Sequence, residues 1–111
     1  MNRKLDVAIV EALGHKVSSN NHAMDYFYPG ENNKICMVPP YSTYKESALN
    51  LVEELIHERG WKVVLNISER NVITSIITED DCIVRHGDTI PGSISKAVYK
   101  ALTGKEWEGE K

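Results

Sequence analysis

Apolar residues in this chain recur with a helical period in three stretches and with a period of two between them, and that alternation limits its folds more than any motif does. The first stretch puts Leu5, Ala8, Ile9, Ala12 and Leu13 on one stripe, the second Ala48, Leu51, Val52, Leu55 and Ile56, the third Ile94, Ala97, Val98, Ala101 and Leu102. Gly14, Gly60 and Gly104 follow them, each suited to the left-handed residue just past a helix end. The second helix is expected to open at Pro39-Pro40-Tyr41-Ser42-Thr43, where the prolines forbid an earlier start and Thr43 with Glu46 makes a capping box. The third is expected to open near Gly92-Ser93, after Pro91. Each stripe is narrow and backed by polar residues, which predicts three helices lying on a surface and none at the centre.

Between the second and third stretches Trp61, Val63, Leu65 and Ile67 alternate with Lys62, Val64 and Asn66. Ser68-Glu69-Arg70-Asn71 then supplies turn chemistry before residues 72–77, so a β-hairpin is expected. Its second strand carries Val72 and Ile76 on one face and Ile73 and Ile77 on the other, the pattern of a sheet at least partly covered on both sides. Residues 82–86 make a third strand, and Tyr26-Phe27-Tyr28 with residues 34–38 a second hairpin around Pro29-Gly30-Glu31-Asn32-Asn33. The fold class expected is α+β, a three-layer α/β/α sandwich of a mostly antiparallel sheet and three amphipathic helices. Residues 1–104 form its single domain, and residues 105–111 a charged tail that either frays or docks through Trp107.

A length of 111 residues suffices for one core and is short for two. No apolar run approaches the ~20 residues that cross a bilayer, and Asp6 and Glu11 interrupt the start where a secretory signal needs a continuous apolar segment. A cytosolic site of action is expected, in which Cys36 and Cys82 stay reduced as small buried residues. A net charge of −3 argues against binding to long nucleic acids, which rests on many Lys and Arg contacts. It leaves room for one compact phosphate.

Three pieces together, Leu5-Asp6 on the opening helix, Met37-Val38-Pro39-Pro40-Tyr41-Ser42-Thr43 leading into Leu51-Val52-Glu53-Glu54-Leu55 and Trp61, and the helix Ala97-Val98-Tyr99-Lys100-Ala101-Leu102, resemble the phage ABA sandwich domain family. The resemblance spans most of residues 2–104 and departs from the family in an insert through residues 18–33 and in residues 79–88. It implies the α/β/α sandwich, a bacteriophage setting, the host cytoplasm and an accessory role. It supplies no catalytic residues.

Candidate chemistry is sparse. Glu54-Leu55-Ile56-His57 matches the Glu-x-x-His of carboxylate-bridged metal sites, but those need a second copy, and a solvated helix face accounts for it. Cys82 and His86 share a strand face that Cys36 could join, without the closely spaced ligand pair that zinc prefers. Asp80, Asp81 and Asp88 could gather a divalent ion for a phosphoesterase. No P-loop, dinucleotide fingerprint or nucleophile elbow occurs.

The remaining feature is a gathering of Tyr26, Tyr28, Tyr41 and Tyr44 around the start of the second helix. There the backbone N–H groups of residues 42–45 and the helix dipole suit an anion. The plainer alternative is a turn set by Pro39-Pro40-Tyr41 with Ser42 or Thr43 as cap. The expected ligand site is Tyr26, Tyr28, Tyr41, Ser42 and Thr43, joined by Arg85 and His86 if their strand passes near. With no catalytic residue, metal or cofactor in the expectation, the leading function is a non-enzymatic anti-defence sponge that sequesters a small nucleotide-derived immune signal, such as a cyclic nucleotide. The alternatives are a protein–protein interaction module, drawn from the acidic balance and Trp107, and a phosphoesterase. Val7, Val10, Leu49 and Tyr99 fall off the main stripes and are expected at a homo-oligomer contact.

Overall fold

The computed structural model describes residues 3–19, 25–27 and 36–107. Helix α1 spans Arg3–Ala12, α2 Lys45–Arg59 and α3 Ile90–Thr103. Short strands β1 (Val17–Ser19), β2 (Asp25–Phe27) and β3 (Cys36–Met37) pair antiparallel in that order, and β4 (Lys62–Ser68), β5 (Asn71–Ile77) and β6 (Cys82–Gly87) form a second antiparallel sheet. Three helices pack with this three-stranded sheet in an α+β fold, as the alternating periods predict. Both expected hairpins are present, β2–β3 and β4–β5, the first with its connection outside the described residues. β1 is an addition that its three residues are too few to announce.

All three closing glycines have positive φ, and the N–H groups of Gly60 and Gly104 bond to Ile56 and Lys100 carbonyls at 3.0 and 2.8 Å. The helix starts differ from expectation. α3 begins at Ile90, earlier than Gly92-Ser93, because Thr89 is its N-cap: the Thr89 Oγ1 accepts from the Gly92 N–H at 3.1 Å, with Pro91 in the first turn.

The larger correction concerns α3, which is central. Its buried residues Pro91, Ser93, Ile94, Ser95, Ala97 and Val98 cover about 200° of arc at 3.6 residues per turn. One side packs on β5 and β6, the other on α1 and α2, so the layers run sheet, α3, then α1 with α2. Polar residues made this helix look like a surface helix, but Ser93 has its partners inside. The Ser93 and Thr74 hydroxyls lie 2.7 Å apart, and Ser93 Oγ donates to the Arg85 carbonyl at 3.0 Å. Gly87 makes the approach close enough, since a Cβ there would stand 2.7 Å from the Ser93 backbone nitrogen.

The inner sheet face therefore faces α3, through Val72, Thr74 and Ile76 of β5 and Ile83 of β6, all buried. The outer face, expected to be partly covered, stands open: Val64, Ile77 and Val84 are 54%, 40% and 41% exposed. The core joins Leu5, Ile9 and Val10 of α1 to Leu51, Val52 and Leu55 of α2, Trp61, and Ile94 and Val98 of α3. Each such side chain contributes roughly 1.5–3 kcal/mol by leaving water. Val10 is wholly buried, and Val7, Leu49 and Tyr99 pack against the core. Of the four residues expected at a subunit contact, Val10 thus belongs to the protomer's own interior and the other three are partly buried against it.

Beyond α3 the chain turns back. Trp107 meets Tyr99 edge-on with ring centroids 5.2 Å apart, and Glu106 takes Arg85 in a two-point ion pair, its Oε2 accepting from Arg85 Nε at 2.8 Å. Through residue 107 the tail docks on the domain, by the indole route of the two expected.

Candidate functional site

The turn before α2 is organised from a distance. Thr43 and Tyr44 donate their N–H groups to the Pro40 carbonyl at 3.1 and 3.0 Å, and the Ser42 N–H donates to Asp6 Oδ1 on α1 at 2.8 Å. Arg3 fixes the approach by donating from Nη1 to the Val38 carbonyl at 2.9 Å. Three of the four N–H groups expected to hold an anion are therefore engaged, one of them by a carboxylate. The expected capping box is not formed either. Tyr44 is the N-cap and makes no side-chain cap bond, while Thr43 Oγ1 is buried without a hydrogen-bond partner.

Asp6 is 0% exposed, and its Oδ2 also lacks a hydrogen-bond partner. Burial pushes its carboxyl above the usual carboxylate value, against the opposing pull of the Ser42 hydrogen bonds, Arg3 and the N-terminus. The stripe Leu5, Ala8, Ile9, Ala12 and Leu13 hides the polar residue at this point; α1 is turned so that Asp6 and Val10 face inward beside Leu5 and Ile9. Tyr41 lies beside it, 7% exposed, its hydroxyl pushed up to about 12 by burial, then by Glu54 and Asp6. It stays a neutral phenol across physiological pH.

Tyr41 opens onto a groove of about 500 Å³ between the end of α1, the β3–α2 connection and α2. Val10, Leu13, Met37, Pro39 and Leu51 supply apolar walls, and His15, Ser47, Asn50 and Glu54 supply polar groups. Among the described residues no Lys or Arg lines it. Asn50, Ser47 and Glu54 recur along one side of α2, a polar edge that reads in sequence as the solvated back of an amphipathic helix. What makes it a wall is the apposition of α1, which local periodicity does not encode.

The expected site residues separate. Tyr41 lines the groove, while Ser42 and Thr43 belong to the turn behind it. Only the backbone of Tyr26 is described, in β2, and Tyr28 lies outside the described residues. Arg85 and His86 do not line the groove. Arg85 is engaged by Glu106 and donates to the Val84 carbonyl, and the exposed His86 sits on the outer sheet face with Nδ1 3.5 Å from Asn71 Oδ1.

Cys82, expected to be buried, is exposed on that face, because the β5 register sets it opposite Ile77. Cys82 and His86 are about 13 Å apart along the strand at ~3.3 Å per residue, too far to share an ion. The Cys36 side chain lies outside the described residues. Among the described residues no three His, Cys, Asp or Glu side chains converge, and Asp81 Oδ1 is occupied by the Cys82 N–H at 2.8 Å. No described helix is long and apolar enough to cross a membrane.

No protein-family model matches the chain, and no curated protein matches it. Among solved structures it is similar to a phage protein from Bacillus cereus ATCC 14579, with a TM-score of 0.64 and 18% identity over 89% of each chain. At that identity the likeness is one of fold. The α+β class agrees with what the resemblance to the phage ABA sandwich family implies, but the α/β/α layering does not, because the described helices lie on one side of the β4–β5–β6 sheet; no family match goes with it.

Proposed function

We propose that this is a phage accessory protein that works by binding, holding a compact nucleotide-derived signal in the groove beside Tyr41 without transforming it. The carrying observation is the groove itself: about 500 Å³ of mostly apolar wall with a few polar groups aimed into it, the composition of a small-molecule site. The phage setting rests on the fold likeness to the Bacillus cereus phage protein.

The wall chemistry revises which part of such a ligand is read. With Glu54 as the carboxylate on the wall, Asp6 behind Tyr41 and no Lys or Arg among the described lining residues, the described wall disfavours a phosphate. A nucleobase or ribose suits it better. Glu54 accepts from amino or hydroxyl groups, the Asn50 amide both donates and accepts, and Leu13, Met37 and Pro39 cover the ring. Phosphates then point to solvent.

Calorimetric titration with cyclic oligonucleotides, cyclic ADP-ribose isomers and the corresponding nucleosides tests this. Expected are heat with at least one nucleotide, weakening at least tenfold in Asn50→Ala and Glu54→Gln, unchanged affinity in Arg85→Ala, and recovery of intact ligand from the heated complex. No heat with any of them overturns the proposal, and a cleaved product replaces it with an esterase. The second reading, an interaction module that inhibits a host or phage factor, is favoured by the open outer sheet face of Val64, Ile77 and Val84. Its Trp107 lever is weakened, because that indole packs on Tyr99.

A further inference from the structure

The two edges of the β4–β5–β6 sheet are protected unequally. At β6 an inward-pointing charge, Arg85, is clasped by Glu106 of the returning tail. Inward charges and covering segments are devices by which proteins keep sheet edges from pairing. Among the described residues β4 has none of them. Its seven residues pair with β5 without a bulge, no proline interrupts them, and its one charge is Lys62 at the first position.

The cover of the inner face is unequal in the same direction. α3 packs on β5 and β6 and leaves β4 largely to itself. Val72, Thr74 and Ile76 of β5 are buried, whereas their β4 neighbours are not: Val63 and Leu65 are half-buried, and Ile67 is 57% exposed although it shares the inward parity. An inward-facing isoleucine left in water marks a layer that ends too soon.

We infer that the β4 edge is a docking surface for a second copy of this chain, joined strand to strand in antiparallel register about a two-fold axis at Leu65. The strand is self-complementary in that register. Leu65 faces Leu65 of the partner subunit, Val63 and Ile67 face each other, Val64 faces Asn66, and Lys62 faces the uncharged Ser68, so no like charges oppose. The inward row Val63, Leu65 and Ile67 continues across the axis on one face, and each Ile67 comes to lie beside a Val63 that has its own core beneath it. Pairing of this kind supplies main-chain hydrogen bonds to an open edge, with the side-chain row setting the register. The inference is independent of the groove.

Light scattering on the purified chain at about 100 μM is expected to give twice the 12.5 kDa protomer mass. Ile67→Lys should halve it with an unchanged circular dichroism spectrum, whereas Val84→Lys on the outer face should leave it doubled. Register is read by oxidation in a Cys36→Ser, Cys82→Ser background. Leu65→Cys should cross-link to itself, since directly opposed Cα atoms at about 4.5–5.5 Å suit a disulfide, and Val64→Cys, opposite Asn66, should not. A monomer at 100 μM overturns the proposal. So does a dimer that survives Ile67→Lys, that Val84→Lys dissolves, or that cross-links through residue 64 in place of 65.

Discussion

At the start of α3 the chain caps itself, with Thr89 three residues from the N–H it accepts. At the start of α2 the N-cap Tyr44 makes no side-chain cap bond, and the N–H of Ser42, two residues before it, is held by Asp6, 36 residues away. The first arrangement is local, and its loss would be felt by one helix. The second ties α1 to α2 and sets the wall on which Tyr41 sits, so stability and site geometry pass through one buried carboxylate. A local cap insulates a helix; a tether from a distance couples two.

That contrast is open to direct attack. Asp6→Ala leaves the half-buried Ser42 N–H without its carboxylate and is expected to cost the most, about 1–3 kcal/mol, with loss of any ligand heat because Tyr41 loses its support. Urea denaturation and calorimetry report the two effects, and an unchanged midpoint would break the comparison. Thr89→Ala should cost about 1 kcal/mol and leave ligand affinity unaltered, since Thr89 does not line the groove. A loss of affinity there would show that α3 is coupled to the site as well.

Acidity sharpens the comparison. Burial raises the Asp6 carboxyl above 3.8, so the native state keeps its proton where the unfolded chain has lost it. Stability contributed by that proton is full below pH 3.8 and is lost as pH rises through the raised value. In Asp6→Asn this decline should vanish, which unfolding curves between pH 3.5 and 7 would reveal as a flatter profile than wild type. The smallest effect is a gain. Tyr44 is an exposed N-cap in extended conformation without a cap bond, so Tyr44→Asp is expected to add roughly 0.5–1 kcal/mol. No gain in melting temperature would mean that Asp6 already does the work of a cap.

What sequence could reveal here follows the same division between local and remote. The three helices, their closing glycines and the β4–β5 hairpin are written in residues that lie close together, and periodicity finds them. The centrality of α3 is not, because Ser93 and Ser95 read as a polar back until Thr74 and the Arg85 carbonyl arrive to satisfy Ser93. The candidate site was legible only at Tyr41. Arg85 and His86 were basic and near in number, yet one is spent on Glu106 and the other points away from α3. Glu54 and Asn50 carry the polar wall and looked like solvent-facing positions, since nothing within α2 announces that the end of α1 stands across from them.

The central position of α3 also bears on how the chain is made. Of the described elements it is the last to be synthesised, yet it separates the sheet from α1 and α2 and is packed on by each. Until it emerges, Val72, Ile76 and Ile83 on one side and Ile9, Val10 and Leu51 on the other have no common interior to enter. Between the synthesis of β6 and that of α3 a nascent chain therefore carries two unsealed apolar surfaces, the state in which association with other chains competes with folding. Its final helix acts as the closing step of the whole domain.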